Sequence, residues 1–527
     1  MNTDKAHIDE LKSYYTVIDS LLKQKEYKYG FPLDDEIRKE IDGIILQDSD
    51  DEFKIFSYLK KVKSLWSMLI RKSIVCLRYF DGREPFMKIE GKEPYAYGMK
   101  DLTDFFNQYT DFEDVLYGGA NYYRDHMMHV FRVWLLGMVV LLRDNCQYLK
   151  LVKISDYAQV NCYEKLSIWT IVALTHDLGY PLEKSAQIIE KTKDMMKAFV
   201  SNPAILMDFS FSGVQNSMND FVLRFISSKM WEIDPENRKT LENTKEHVEE
   251  DKKKQAQLQG DDLKNYIEKK RYVARLQPKY YFKFQKALEH SEHGVLSSLI
   301  LYKILLYFLE SDYSLNEDYM FDYEDSRQFY IRREILRSIA SHTCKDIYQN
   351  DALRFSFLLI LCDDAQEWGR KNISQLYVNN AQDYEFKEVT LNMSGFLEDT
   401  KTNAIFTRIA DSCSCNQTDK LKLLLKKYIW QCKAYRSLFR DGQDTSSRNF
   451  VFFRNLSLKT DGMGGGQKEY LLSLEISTDK RTRVLVKMTN DDDISADDSV
   501  DKVLAEIMKL ERCCRIDGNK KLEILIG

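Results

Sequence analysis

A chain with only 7 prolines and 21 glycines in 527 residues has few points at which a helix is forced to stop. That scarcity constrains its fold more than any other feature. Apolar residues recur at helical spacing in Ile8, Leu11, Tyr15, Ile18 and Leu21, and again over 55–77. The expectation is a mainly α protein. At 527 residues the chain exceeds one ordinary compact domain, so a large core with at least one smaller unit is expected.

Residues 1–115 read as a helical N-terminal region, and 116–380, where apolar runs lengthen and most histidines fall, as the core domain. The longest apolar run, Val133 to Leu142, is about half the ~20 residues needed to cross a bilayer and is bracketed by Arg132 and Arg143. It reads as a buried core helix, and no membrane partner is expected. Within the core lies a charged insertion, 230–275, containing Glu249-Glu250-Asp251-Lys252-Lys253-Lys254. Mixed charges at helical spacing indicate a solvated helix or insertion; the alternative is a lid over a site.

After 383 the pattern changes to the β-branched and aromatic alternation of strands, at 386–393, 449–458, 470–478, 483–487 and a short stretch at 522–526. Helical patterns at 418–438 and 499–512 interleave with them, so 383–527 is expected to form a smaller C-terminal α+β domain. The glycine-rich loop Gly462-Met463-Gly464-Gly465-Gly466 is followed by Gln467-Lys468 and a strand. A phosphate-cradling loop would lead into a helix instead, so a hairpin is expected.

A formal charge of -5 gives no global attraction to nucleic acid. Any phosphate-bearing ligand would need a local positive field, which a bound metal ion supplies. The polar N-terminal stretch and ten cysteines without a CxxC pair lead to the expectation of a cytoplasmic protein with reduced thiols. Homo-oligomerisation stays open.

Six of the eight histidines lie in four short segments at the edges of apolar helices. The segments are Asp125-His126-Met127-Met128-His129-Val130, Thr175-His176-Asp177-Leu178-Gly179-Tyr180-Pro181, His290-Ser291-Glu292-His293-Gly294 and Ser341-His342-Thr343, with Cys362-Asp363-Asp364 following. His126 and His129 share one helix face. Adjacent side chains on a regular helix diverge by about 100°, so His176 and Asp177 can meet one ion only where Gly179 and Pro181 bend the helix end. Imidazole and carboxylate together suit Mn, Fe, Co, Ni or Zn, and Mg where carboxylates and water dominate.

The order His, His-Asp, His, His, Asp over roughly 120–370 resembles the ligand set of HD-domain metal-dependent phosphohydrolases, a superfamily that includes cyclic-nucleotide phosphodiesterases and deoxynucleotide triphosphohydrolases. The resemblance implies an HD-type helical core in which His129, His176, Asp177 and Asp363 hold a first ion. His293 and His342 would complete a second site, with Asp177 bridging. His129-Val-Phe-Arg-Val133 resembles the family's first motif; His126 fits almost as well, or else serves as a proton donor beside it. Many members carry Lys where this chain has Tyr180, so that residue's role does not transfer. Gly179-Tyr180-Pro181 also spells the motif of the HD-GYP proteins, but there it lies much further along the domain.

An ion so held lowers the pKa of water from about 16 towards 7, which points to hydrolysis of a phosphate ester or anhydride, on a nucleotide or a cyclic mono- or dinucleotide. Asp177, His126 and Lys184 are the candidate catalytic residues, Tyr180 and Arg124, Lys345 and Arg370 the candidate substrate contacts, and Asp364 a candidate orienter of a ligand imidazole. Two other readings are a nucleotide-binding sensor without turnover and a helical scaffold with structural histidines.

Overall fold

The computed structural model describes residues 3–22, 30–44, 52–80, 98–119, 126–155, 158–185, 188, 214–237, 239–241, 245–310, 315, 318–344, 346–347 and 353–366, together with seven strands between 385 and 525. Helix dominates the described residues. In chain order they are α1 (Thr3–Ser13), α2 (Tyr15–Leu22), α3 (Asp35–Asp42), α4 (Glu52–Phe80), α5 (Met99–Gly119), α6 (His126–Leu151), α7 (Cys162–Thr175), α8 (Val214–Ser227), α9 (Lys245–Gln257), α10 (Gly260–Glu268), α11 (Pro278–Glu289), α12 (His293–Ile304), α13 (Tyr323–Ser341) and α14 (Phe355–Ala365). Buried apolar residues from Ile8 to Ala365 form one cluster.

Its centre is α6, α7 and their partners. By length and composition α6 is apolar enough to span a membrane, yet most of it is buried inside the fold, as its bracketing arginines imply. Both arginines are used: Arg132 grips Asp4 of α1 through two nitrogens at 2.7–3.2 Å, and Arg143 pairs with Glu10. The helix breaks just after the apolar run, where Asp144, Asn145 and Cys146 take φ of 53°, 55° and 61°.

A capping box starts α7: the Asn161 side chain accepts from Glu164 N at 3.0 Å, and the Glu164 carboxylate accepts from Asn161 N at 2.9 Å. The same fully buried Glu164 pairs with Arg327 of α13, so one carboxylate starts one helix and docks another. Trp66 of α4 donates its indole N–H to the Leu174 carbonyl at 2.9 Å, satisfying an acceptor at the end of α7. Trp134 and Trp169 lock α6 to α7 through Trp169 Nε1 to Trp134 O at 3.0 Å and Trp134 Nε1 to Thr170 Oγ1 at 3.1 Å.

The charged interval is a two-stranded antiparallel ladder, β1 (Ser228–Ile233) with β2 (Arg271–Leu276), enclosing α9 and α10. No residue of α10 is buried. The pair is tied down at its base, where buried Lys270 meets Asp251 at 2.5 Å and Glu232 at 3.5 Å.

The C-terminal strands β3 (Glu385–Asn392), β4 (Ile405–Ser414), β5 (Phe450–Asp461), β6 (Gln467–Ser477), β7 (Arg483–Thr489), β8 (Cys514–Asp517) and β9 (Lys521–Leu525) form one sheet in the order β3-β4-β5-β6-β7-β9-β8. All pairs are antiparallel except β4 with β5. Asp461 pairs directly with Gln467, so the chain across the glycine-rich stretch joins two antiparallel strands, not a strand and a helix. Strands β4 and β8 are additions to the expected set; the stretches 418–438 and 499–512 lie outside the described residues.

At Gly137 α6 lies close against α7: a Cβ there would lie 2.0 Å from the Trp169 ring. In a free helix Gly to Ala stabilises by about 1 kcal/mol. Here Gly137→Ala must push the indole aside, and overpacking costs about 1–3 kcal/mol. A lowered thermal unfolding midpoint is the expected result; an unchanged or raised midpoint would contradict this packing.

Candidate metal centre

Five helix ends converge on one point. His129 comes from the first turn of α6, and His176 is the C-terminal cap of α7 with Asp177 next in the chain. His293 opens α12, His342 is the C-terminal cap of α13, and Asp363 lies in the last turn of α14. Around Asp177, Oδ1 is 3.2 Å from His293 Nε2, 3.5 Å from His176 Nε2 and 3.6 Å from His342 Nε2, while Oδ2 is 3.7 Å from His129 Nε2. Asp363 Oδ1 lies 2.9 Å from His129 Nε2 and 3.9 Å from His176 Nε2. Three overlapping sets of these residues have ligand atoms within 4.8 Å of one another: His129 with His176 and Asp177, His176 with His342 and Asp363, and Asp177 with His293 and His342. Among the described residues, this His/Asp group could hold a metal ion.

The orientation of the imidazoles has a common cause. In each, Nδ1 is engaged by an acceptor: Gln366 Oε1 at 2.5 Å for His129, the Ala173 carbonyl at 2.8 Å for His176, Glu183 Oε2 at 2.5 Å for His293 and the Ile339 carbonyl at 2.6 Å for His342. An acceptor at Nδ1 places the proton there and leaves Nε2 facing the centre. His176 and His342 solve this identically. Each caps a helix and donates to the carbonyl three residues back, an acceptor that the helix end leaves free. That termination also lets neighbours His176 and Asp177 face one point, despite the divergence expected on a regular helix.

Glu183 has two tasks. Its Oε2 accepts from the backbone N of His293 at 3.0 Å and from the imidazole of the same residue, so one oxygen from a distant segment both caps α12 and aims its first side chain. Gly294 makes the crossing of α12 and α13 possible: a Cβ there would stand 2.7 Å from the Ile339 carbonyl and 2.9 Å from His342 Nδ1.

Among the described residues the buried Nε2 atoms of His129, His176 and His342 meet no hydrogen-bond partner. Unpartnered buried acceptors cost about 1–3 kcal/mol each, and an ion among them removes that cost. Burial drives His176 down to about 4, against the pull of Asp177 and Asp363, so its ring is neutral at pH 7 with a lone pair to give. Burial would raise Asp177, but the imidazoles of His176, His293 and His342 hold it well below its usual range; Asp363 is likewise depressed, by His129 and His176. Glu183 is pulled to about 2, because the bonds from His293 outweigh burial. His293 is the exception: burial opposes its charge, but Asp177 and Glu183 together raise it to about 10. Two anionic carboxylates beside the neutral ring of His176 form a donor set that fits a divalent cation, whose binding would displace the extra proton of His293.

His126 stands apart from the cluster. Its ring packs on Tyr180 at 3.8 Å between centroids, and is 6.2 Å from the ring of His129. Tyr180 also meets His293 edge-on at 5.5 Å, and Lys184 Nζ sits 4.8 Å over the Tyr180 ring and 3.5 Å from Glu183. His126, Tyr180 and Lys184 therefore form one wall beside the centre. Arg124, Lys345 and Arg370 lie outside the described residues. Glu183 and Gln366 were not singled out from sequence, and neither acceptor role falls to Asp364.

Set against protein-family models, curated proteins and solved structures, the chain matches none of them.

Two substitutions test that geometry. Glu183→Gln keeps the shape but removes the charge on Nδ1 of His293, and is expected to weaken metal affinity about 10–100-fold in a chelator competition. Gly294→Ala is expected to separate His293 from His342 and to lower metal affinity at least as much; wild-type affinity in both variants would contradict the described geometry.

Proposed function

We propose that the protein is a metal-dependent phosphohydrolase of the HD-domain type, acting on a phosphate ester or anhydride of a nucleotide or cyclic dinucleotide. The observation that supports this reading is the convergence of four Nδ1-anchored imidazoles on two depressed carboxylates. In this reading His129, His176, Asp177 and Asp363 would hold one ion, and His293 and His342 would share Asp177 with a second. The two oxygens of Asp177 suit a bridging role, since Oδ1 lies nearest His293 and Oδ2 is the oxygen beside His129. Ions so placed supply Lewis-acid polarisation of a phosphoryl oxygen and a nucleophile near neutral pH.

The chain's own residues do the rest. Asp177 and Asp363 set the charge of the centre, and the neutral ring of His176 donates without first losing a proton. Glu183 and Gln366 hold their imidazoles in one tautomer. His126 is the candidate proton donor to the leaving group, held in place by the ring of Tyr180. Lys184 is the cation of that wall and the candidate partner for a phosphate oxygen.

Purified full-length protein is expected to carry one or two equivalents of a transition metal and to hydrolyse at least one member of a panel of nucleotides, cyclic mono- and dinucleotides and generic phosphodiesters with Mn, Fe, Co, Ni, Zn or Mg. Asp177→Ala is expected to lose the metal and at least 1000-fold in turnover, about 4 kcal/mol in barrier. Metal binding without turnover of any panel member would favour a sensor over an enzyme; no metal at all would defeat both readings.

A further inference from the structure

A second concentration of charge lies on α13, away from the His/Asp cluster. Arg333 and Arg337 are one turn apart on this helix. At about 100° per residue they lie roughly 180° and 140° around the axis from His342, and so face another part of the fold.

Arg333 is 8% exposed. Its Nη1 donates to the Ser228 carbonyl at 3.0 Å, its guanidinium lies 5.1 Å over the Tyr330 ring, and its nearest carboxylate, Glu334, is 4.0 Å away. The Nε–H is buried and, among the described residues, meets no acceptor. Arg337 packs 4.1 Å over the ring of Tyr280 from α11, and among the described residues it makes no hydrogen bond or ion pair. Unlike Arg333, it retains some solvent exposure.

Burial, followed by the nearby charge of Arg333, brings Arg337 down to about 10. Burial also lowers Arg333, and Arg354, ahead of α14, adds to the positive field at both. Glu334 opposes this field at both, but one carboxylate faces two guanidiniums and Arg354 besides, and like charges held together at low dielectric are costly unless a further anion joins them.

We propose that Arg333 and Arg337, braced on the rings of Tyr330 and Tyr280, form a binding site for a phosphate-type oxyanion separate from the metal centre. A planar guanidinium presents parallel N–H donors that match the oxygens of a phosphate. An aromatic face beneath each guanidinium holds it without competing for those donors. The anion would lie against Arg337, whose N–H groups are uncommitted, with Arg333 behind it supplying field. Inorganic phosphate and the phosphate of a phosphomonoester share this chemistry.

The test is thermal unfolding of the full chain with inorganic phosphate or, separately, a nucleoside 5′-monophosphate, against sodium chloride at matched ionic strength. Wild-type protein is expected to gain about 2 °C at tenfold excess over the dissociation constant. Asp177→Ala is expected to show the same gain and Arg337→Gln none. Without anion, Arg337→Gln is expected to unfold at or above the wild-type temperature, because one of two repelling charges is gone. A larger gain with the monophosphate identifies an organic phosphate as the occupant; an equal gain identifies free phosphate. The proposal is overturned if the gain survives in Arg337→Gln, if it vanishes in Asp177→Ala, or if Arg337→Gln is several degrees less stable without anion.

Discussion

Everything in the centre depends on the hydrogen bond at Nδ1 of each imidazole. Fixing the proton on one ring nitrogen turns the other into a lone-pair donor of known direction. Four such bonds, to two helix carbonyls, one carboxylate and one amide oxygen, aim four Nε2 atoms at the oxygens of Asp177 and Asp363. Without them the rings would be free to turn and form local hydrogen bonds elsewhere. With them, three Nε2 atoms stay buried without a hydrogen bond, a cost that the surrounding core sustains.

That core explains why helix ends suit the task. A helix terminus offers free carbonyls at its C-terminal end and free N–H groups at its N-terminal end, and both are used. Carbonyls near the ends of α7 and α13 orient His176 and His342, and the N–H that opens α12 is met by Glu183. The ends are positioned by contacts that have no chemistry of their own: Trp66 on the last turn of α7, Glu164 between α7 and α13, and the indole pair between α6 and α7. Gly294 lets the ends approach to the distance that a shared ion requires.

The helical character of most described residues before 367 was legible because few breakers interrupt a strong apolar period, the β1–β2 ladder in the charged interval being the exception, and the run Val133 to Leu142 emerged as the core helix its flanking arginines imply. The clustering of His129, His176, Asp177, His293, His342 and Asp363 was legible as a pattern of residue types at helix edges. What sequence left open between His126 and His129 depends on which ring faces inward, a matter of packing against Tyr180 that no spacing rule decides. Glu183 and Gln366 were hidden for a related reason: each acts on a histidine far away in sequence, and neither makes a local pattern. One signal was available in retrospect. Thr175-His176 and Ser341-His342 both close buried helices, and repeated hydroxyl-histidine endings mark two capping imidazoles. Strand β4 escaped notice because Thr407, Arg408 and Asp411 interrupt its apolar alternation.

The central claim is that these imidazoles share a metal ion, and X-ray absorption at the K-edge of the bound metal tests it most directly. The predicted spectrum has nitrogen and oxygen ligands at about 2.0–2.2 Å, at least two imidazole rings in the outer shells and no sulfur. A sulfur shell near 2.3 Å, or a first shell without imidazole, would contradict the account.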